Sequence, residues 1–185
     1  MSIFERYQAR YESARQEVMS LDEYLDLCKT EPGAYAGPAE RLLQAIGEPE
    51  LVDTRNDSRL SRIFQNKVLR RYPAFSEFYG MEESIEHLVS YLKHAAQGLE
   101  EKKQILYLLG PVGGGKSSLA EKLKELMERV PFYAIEDSPV FESPLGLFSA
   151  DEDGPILEED YGIPRRYLNT IMSPWAVKRL QEYNG

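Results

Sequence analysis

Apolar and polar positions fall along this chain in blocks of different period. Val18, Leu21, Tyr24, Leu25 and Cys28 recur at helical spacing within a charged segment from Ile3 to Lys29. Ser20 can cap a helix that begins near Leu21, and Glu31-Pro32-Gly33 stops it. A second short helix is predicted from Pro38 to Ile46, closed by Gly47. Residues 48–61 are polar and weakly patterned. Ile63, Phe64, Val68 and Leu69 then form a short apolar stripe that ends at Tyr72-Pro73.

The character changes from Phe75. Phe75, Phe78, Tyr79 and Met81 surround Gly80, and a helix follows with Ile85, Leu88, Val89, Leu92, Ala95 and Ala96 on one face. Gly98 and the charged run Glu100–Lys103 end it. Ile105 to Leu109 is a continuous apolar run, the pattern of a strand buried on both faces of a parallel sheet. After a glycine-rich loop, Leu119, Leu123, Leu126, Met127 and Val130 mark the inward face of another helix, and Phe132 to Ile135 reads as the next strand. Strand, loop, helix and strand make one βαβ unit. The Pro-, Gly- and acid-rich stretch from Asp137 to Pro164 is predicted to be loop with little regular structure. Ser173-Pro174 starts a last helix carrying Trp175, Val177 and Leu180.

The loop itself, Gly110-Pro111-Val112-Gly113-Gly114-Gly115-Lys116-Ser117, is a Walker A pattern. Gly110, Gly113, Gly114 and Gly115 permit positive φ and close backbone approach, so successive N–H groups can converge on an anion. The helix that starts near Lys116 adds its free N–H groups and its dipole. In this pattern Lys116 reaches the β- and γ-phosphates, the Ser117 hydroxyl ligates Mg²⁺, and Ser118 lies near the α-phosphate. A buried-strand pattern before the loop and an amphipathic helix after it are the context that such a motif requires. The expected ligand is Mg·ATP, with Lys116 as the catalytic cation.

Composition narrows the rest. Hydrophobic residues make up 42% of 185, enough for a packed core. A net charge of -9 argues against nucleic acid or an anionic membrane as the main partner. No apolar stretch approaches transmembrane length and the N-terminus lacks a signal-peptide pattern, so a cytoplasmic location is expected. Cys28, the single cysteine, reads as a buried apolar helix residue. His87 and His94 share a helix face, but with no carboxylate partner expected nearby they read as solvated or satisfied helix histidines rather than a metal site. Glu136-Asp137 follows the second strand, where a catalytic acid or a capping role are both open. The acidic runs Asp151–Asp153 and Glu158–Asp160 read as solvated loop, Arg165-Arg166 as surface ion-pairing residues, and Trp175 as packing.

Beyond the short Phe132 to Asp137 stretch, no apolar run ending in acids follows Ser117, so a Walker B element is not evident, nor are an arginine finger and the protein-kinase motif set. The chain therefore reads as the N-terminal part of something longer, able to bind nucleotide and poor at turning it over. Taken together, Ser20–Leu25, Tyr72–Met81, Leu109–Ser118, Ser138–Leu147 and Ser173–Arg179 carry a resemblance to a known family. On these segments the chain resembles the PrkA-type serine protein kinases, whose N-terminal half is an AAA-type ATPase module. The resemblance implies that Tyr79, Gly80 and Met81 lie against the adenine and that the AAA module can form homo-oligomers in the full-length protein. It also implies serine phosphorylation linked to stress and starvation, with an AAA motor or protease-linked ATPase as the alternative. The expected fold is α/β: a P-loop NTPase (AAA-type) parallel sheet over residues 73–185, incomplete at its C-terminus, behind an N-terminal helical segment over residues 1–72.

Overall fold

The computed structural model describes residues 2–7, 18–168 and 170–183. Part of the predicted N-terminal periodic segment, residues 8–17, lies outside the described residues, as do Asn169 and the last two positions. The chain divides into two compact units, one of residues 35–132 and one that joins residues 1–34 to residues 133–185.

The unit of residues 35–132 is built on three helices. Helix α2 (Pro38–Ile46), helix α4 (Glu82–Ala96) and helix α5 (Lys116–Met127) pack together. Their shared core is Leu42, Ile46, Tyr72, Phe75, Phe78, Ile85, Leu88, Val89, Leu92, Leu119 and Leu126. The predicted inward face of α4 is the buried one, with Ala96 at its margin. Gly47 closes α2 at φ 76°, and Gly98 follows α4 at φ 79°. Lys122 of α5 binds Glu77 at 3.1 Å and Glu125 at 2.9 Å, which ties that helix to the segment ahead of Tyr79. Hydrogen bonds that the ammonium donates to these two carboxylates, Glu125 first, hold it above the usual lysine range.

Between α2 and α4 the polar stretch forms a structure that its weak pattern did not announce. Strand β1 (Glu50–Asp53) pairs antiparallel with β2 (Val68–Arg71), placing Val52 opposite Leu69. Helix α3 (Ser58–Phe64) connects them, capped by Asp57, whose carboxylate accepts from the N–H groups of Arg59 and Leu60. The predicted stripe Ile63, Phe64, Val68 and Leu69 is thus split between a helix end and a strand. Only Phe64 and Leu69 are buried, because the turn at Gln65 and Asn66, both at positive φ, resets the period from 3.6 to 2.

The predicted strands at 105–109 and 132–135 take no regular structure and have no ladder partner among the described residues; the sheet that is present there has two antiparallel strands. Ile105, Tyr107 and Leu109 are exposed, while Leu108 rests on the core. A strand buried on both faces needs neighbours on both edges to take its N–H and C=O groups. An apolar run carries the preference but cannot supply the neighbour.

The second unit has helix α1 (Leu21–Thr30), helix α6 (Gly154–Tyr161) and helix α7 (Pro174–Tyr183). Ser20 caps α1 as expected: its hydroxyl accepts the Glu23 N–H at 3.3 Å, and the Glu23 carboxylate accepts the Ser20 N–H at 2.7 Å. Tyr24, Leu25 and Cys28 are buried, and burial pushes the Cys28 thiol up. Helix α1 packs on α6, where the Lys29 ammonium sits 4.3 Å over the Tyr161 ring. The stretch predicted to be loop holds α6 and a 3-10 turn at Pro144–Leu147, with Leu145, Leu157 and Ile163 almost fully buried. Its prolines and Gly162 cap short elements here. Ser173 and Pro174 open α7 as expected, but the buried residue of that helix is Ala176, while Val177 and Leu180 remain exposed.

Candidate nucleotide site

The glycine loop occupies the N-terminal end of α5. Gly115 is the cap residue, in the left-handed region at φ 77°, and the first helical bond runs from Leu119 N–H to Gly115 C=O at 2.8 Å. The N–H groups of Lys116, Ser117 and Ser118 therefore lie ahead of the helical ladder, and no side chain caps them. Gly113 is also left-handed, at φ 80°. A turn from Gly114 N–H to Pro111 C=O at 3.2 Å folds the loop on itself. Lys116 reaches back across this turn, its ammonium donating to the carbonyls of Gly110 at 2.8 Å and Pro111 at 2.6 Å. A cation and three unpaired N–H groups thus face the same small region, an arrangement that accepts anionic oxygen.

The glycines have steric work here. A Cβ on Gly115 would stand 3.0 Å from the Met81 sulfur, and one on Gly114 would stand 3.1 Å from the Pro111 carbonyl oxygen. Gly110 has room for a side chain; its nearest neighbour is the Lys116 stem at 3.9 Å. A side chain at 114 would press on the Pro111 carbonyl and one at 115 on Met81.

The structure brings Gly110, Gly113, Gly114, Gly115, Lys116, Ser117 and Ser118 into one loop and sets Met81 against it. Met81 also caps α4, so one core helix positions the loop's sulfur neighbour. Gly80 precedes it at φ 75°, and Tyr79 is 84% exposed, projecting its ring into solvent. The hydroxyl residues Ser117 and Ser118 are exposed on the helix's first turn. What the sequence alone did not give is the pair of carbonyls, from Gly110 and Pro111, that hold the Lys116 ammonium.

Other singled-out residues have local partners. The His94 ring nitrogen lies 3.1 Å from Glu101, and Arg165 lies 3.4 Å from Glu158. Asp153 accepts the Ser149 N–H at 2.7 Å, a turn role within its acidic run. Glu136 and Asp137 do not lie in the glycine loop's unit. They line a separate cleft with Trp175.

Residues 19–185 match the family described as the PrkA AAA domain. The chain belongs to this family. AAA domains are P-loop modules, so the motif, its helix and the match agree. Among curated proteins, the chain is 64% identical over 189 aligned positions to the serine/threonine kinase YeaG of Escherichia coli K12, covering all of this chain and 29% of that protein. It is 34% identical over 171 positions to the ATP-dependent protease PrkA of Bacillus subtilis, covering 88% of this chain and 25% of that protein. The chain thus spans less than a third of the length of these relatives. No solved structure matches it. Among the described residues no helix is long and apolar enough to cross a membrane.

Proposed function

We propose that this chain is the ATP-binding N-terminal part of a serine/threonine protein kinase. The observation that carries the nucleotide reading is the loop at α5: a left-handed Gly115 cap, three N–H groups ahead of the ladder and the Lys116 ammonium, all facing one cradle. Gly110 to Ser118 would hold the phosphates, Ser117 would ligate Mg²⁺ through its hydroxyl, and Gly80 and Met81 would flank the base with Tyr79 beside them. Bound Mg·ATP would supply the phosphoryl group. The chain's own part is to orient it: Lys116 exchanges the Gly110 and Pro111 carbonyls for phosphate oxygens, a stronger charge-assisted contact.

The kinase assignment is supported by the name of the relative that is 64% identical. The name of the Bacillus subtilis relative supports a second reading, an AAA ATPase linked to proteolysis that transfers no phosphoryl group to protein. In both readings the apolar runs 105–109 and 132–135 become strands of a parallel sheet, with neighbours supplied by the remainder of the longer protein. Assembly through the AAA module and a cytoplasmic, stress-linked role belong to the same proposal.

The test follows the label from γ-labelled Mg·ATP in the full-length protein, with Lys116→Ala as control. Label on protein serine that the variant abolishes supports the kinase. Label released only as free phosphate favours the ATPase. In calorimetry Lys116→Ala is expected to weaken Mg·ATP binding at least about tenfold, and unchanged affinity would end the phosphate-loop reading.

A further inference from the structure

Arg41 is a buried charge without an answering one among the described residues. It lies on α2 beside the core residues Leu42 and Ile46, and only 8% of its surface is exposed. Its guanidinium has no ion pair and no hydrogen bond among the described residues, and its Nε is sealed from solvent without an acceptor. The Phe132 ring lies under it, with 4.6 Å from the ring centre to the guanidinium carbon. Burial holds the Arg41 pKa below the ordinary arginine value, and no carboxylate opposes that. Glu40, its neighbour in sequence, is engaged at the start of the helix, where it takes the Gly37 N–H at 2.7 Å.

A buried guanidinium without an anion is costly, because the charge gives up water and gains only the pull of a ring face. The ring answers one side of the planar group and leaves its edges, where the N–H groups point. Nε–H and a terminal N–H share an edge whose spacing matches the two oxygens of one carboxylate. Phe132 shows where such an acid would come from. It is 47% exposed and opens the apolar run 132–135, which has no ladder partner among the described residues. A strand laid beside this run would stand about 4.8 Å away, with every second side chain on the face that carries Phe132. A carboxylate on that face, level with Phe132, reaches a guanidinium stacked on the ring. Nucleotide phosphates match less well. The phosphate loop opens α5, whereas Phe132 follows the far end of that helix, which is about 18 Å long.

We propose that Arg41 is a socket for an Asp or Glu side chain carried by the strand that the rest of the longer protein places beside residues 132–135. The guanidinium keeps its face on Phe132, and its Nε edge takes both carboxylate oxygens. The pair fastens α2, and with it the helical core of residues 35–132, to the parallel sheet. This rests on the sheet reading given above and not on nucleotide binding.

The test is amide hydrogen exchange read by mass spectrometry, on the full-length protein and on residues 1–185. Arg41→Met keeps a flexible apolar stem over Phe132 and removes the charge. In the full-length protein it should lower the protection of α2 at least about tenfold, because the acid is left buried alone. In residues 1–185, where the charge has no partner, protection should stay equal or rise. Arg41→Lys keeps the charge but not the planar fork, so in the full-length protein it should lose less than Arg41→Met. Equal loss in both proteins would reduce Arg41 to packing and overturn the proposal, as would no loss in the full-length protein. A loss that appears in residues 1–185 only when Mg·ATP is added would make phosphate the anion, and would overturn it too. The sheet reading is checked in the same data. If residues 132–135 exchange as fast in the full-length protein as in residues 1–185, that reading fails and takes this proposal with it. If they are protected and Arg41→Met acts alike in both proteins, the proposal fails alone.

Discussion

Helix α4, with apolar residues on one face only, and the wholly apolar run from Ile105 to Leu109 belong to the same unit, yet the helix buries its apolar side chains and the run leaves most of its own in solvent. Ile85, Leu88, Val89 and Leu92 are each less than a tenth exposed, whereas Leu109 is 85% exposed. The difference lies in where each element finds its hydrogen bonds. A helix closes them four residues away, so it forms wherever a stripe of apolar residues has something to pack on. A central strand must find them on other strands, and among the described residues none pairs with this run.

The largest effect expected from this contrast is at Leu126, which is fully buried on the phosphate-loop helix. Leu126→Ala should lower the unfolding free energy by about 2–5 kcal/mol in urea denaturation. Leu109→Ala in the same chain should stay within about 0.5 kcal/mol. Repeating the pair in the full-length protein tests the parallel sheet directly. If neighbouring strands cover residues 105–109 there, Leu109→Ala becomes nearly as damaging as Leu126→Ala. If it stays neutral in both proteins, the sheet proposal fails.

The same contrast governs what could be read in advance. Helices α1, α2, α4, α5 and α7 were legible because cap, stripe and stop lie within a few residues: Ser20 with Glu23, Pro38 with Gly47, Ser173 with Pro174. The phosphate loop was legible because its chemistry is local, eight consecutive residues that fold around one Lys. The β1–β2 pair was not, since Leu51 and Val52 stand alone among polar residues and acquire meaning only opposite Arg70 and Leu69. Helix α6 hid within an acid- and proline-rich stretch because Leu157 and Ile163, its buried anchors, sit at a spacing set by the turn at Gly162 rather than by a helix. The tie between Glu142 and Ser173 also closes only in three dimensions, since the two are distant in sequence.

Gly115 carries the next effect. Any side chain there must adopt a left-handed backbone and displace Met81, so Gly115→Ala should cost about 1–2 kcal/mol of stability. It should also weaken Mg·ATP binding. Adding Met81→Ala removes the steric contact and leaves the backbone strain, so the double variant should recover only part of the loss. Full recovery in denaturation would show that φ at 115 matters little, and the loop would be less constrained than its glycines imply. A smaller effect belongs to Ser20→Ala, about 1 kcal/mol from loss of the α1 capping box, read by the same melts.

The smallest effect concerns a looped segment tied down by a side chain. Residues 135–142 form turns, with Asp137 and Phe141 at positive φ, and the Glu142 carboxylate accepts from Ser173 and Ser138. The Ser173 N–H is the main cause that lowers the Glu142 pKa below the ordinary glutamate value; partial burial opposes it and the Ser138 hydroxyl adds to the lowering. A carboxyl with a depressed folded pKa binds protons more weakly in the native state than in the unfolded chain. Its contribution is therefore complete above the unfolded value and is lost as pH falls through the folded one. Glu142→Gln should lower stability slightly at neutral pH and flatten the acid limb of the stability profile. Identical acid limbs for wild type and Glu142→Gln would mean that the loop and the start of α7 are held by packing alone, and that the loop needs no carboxylate tie.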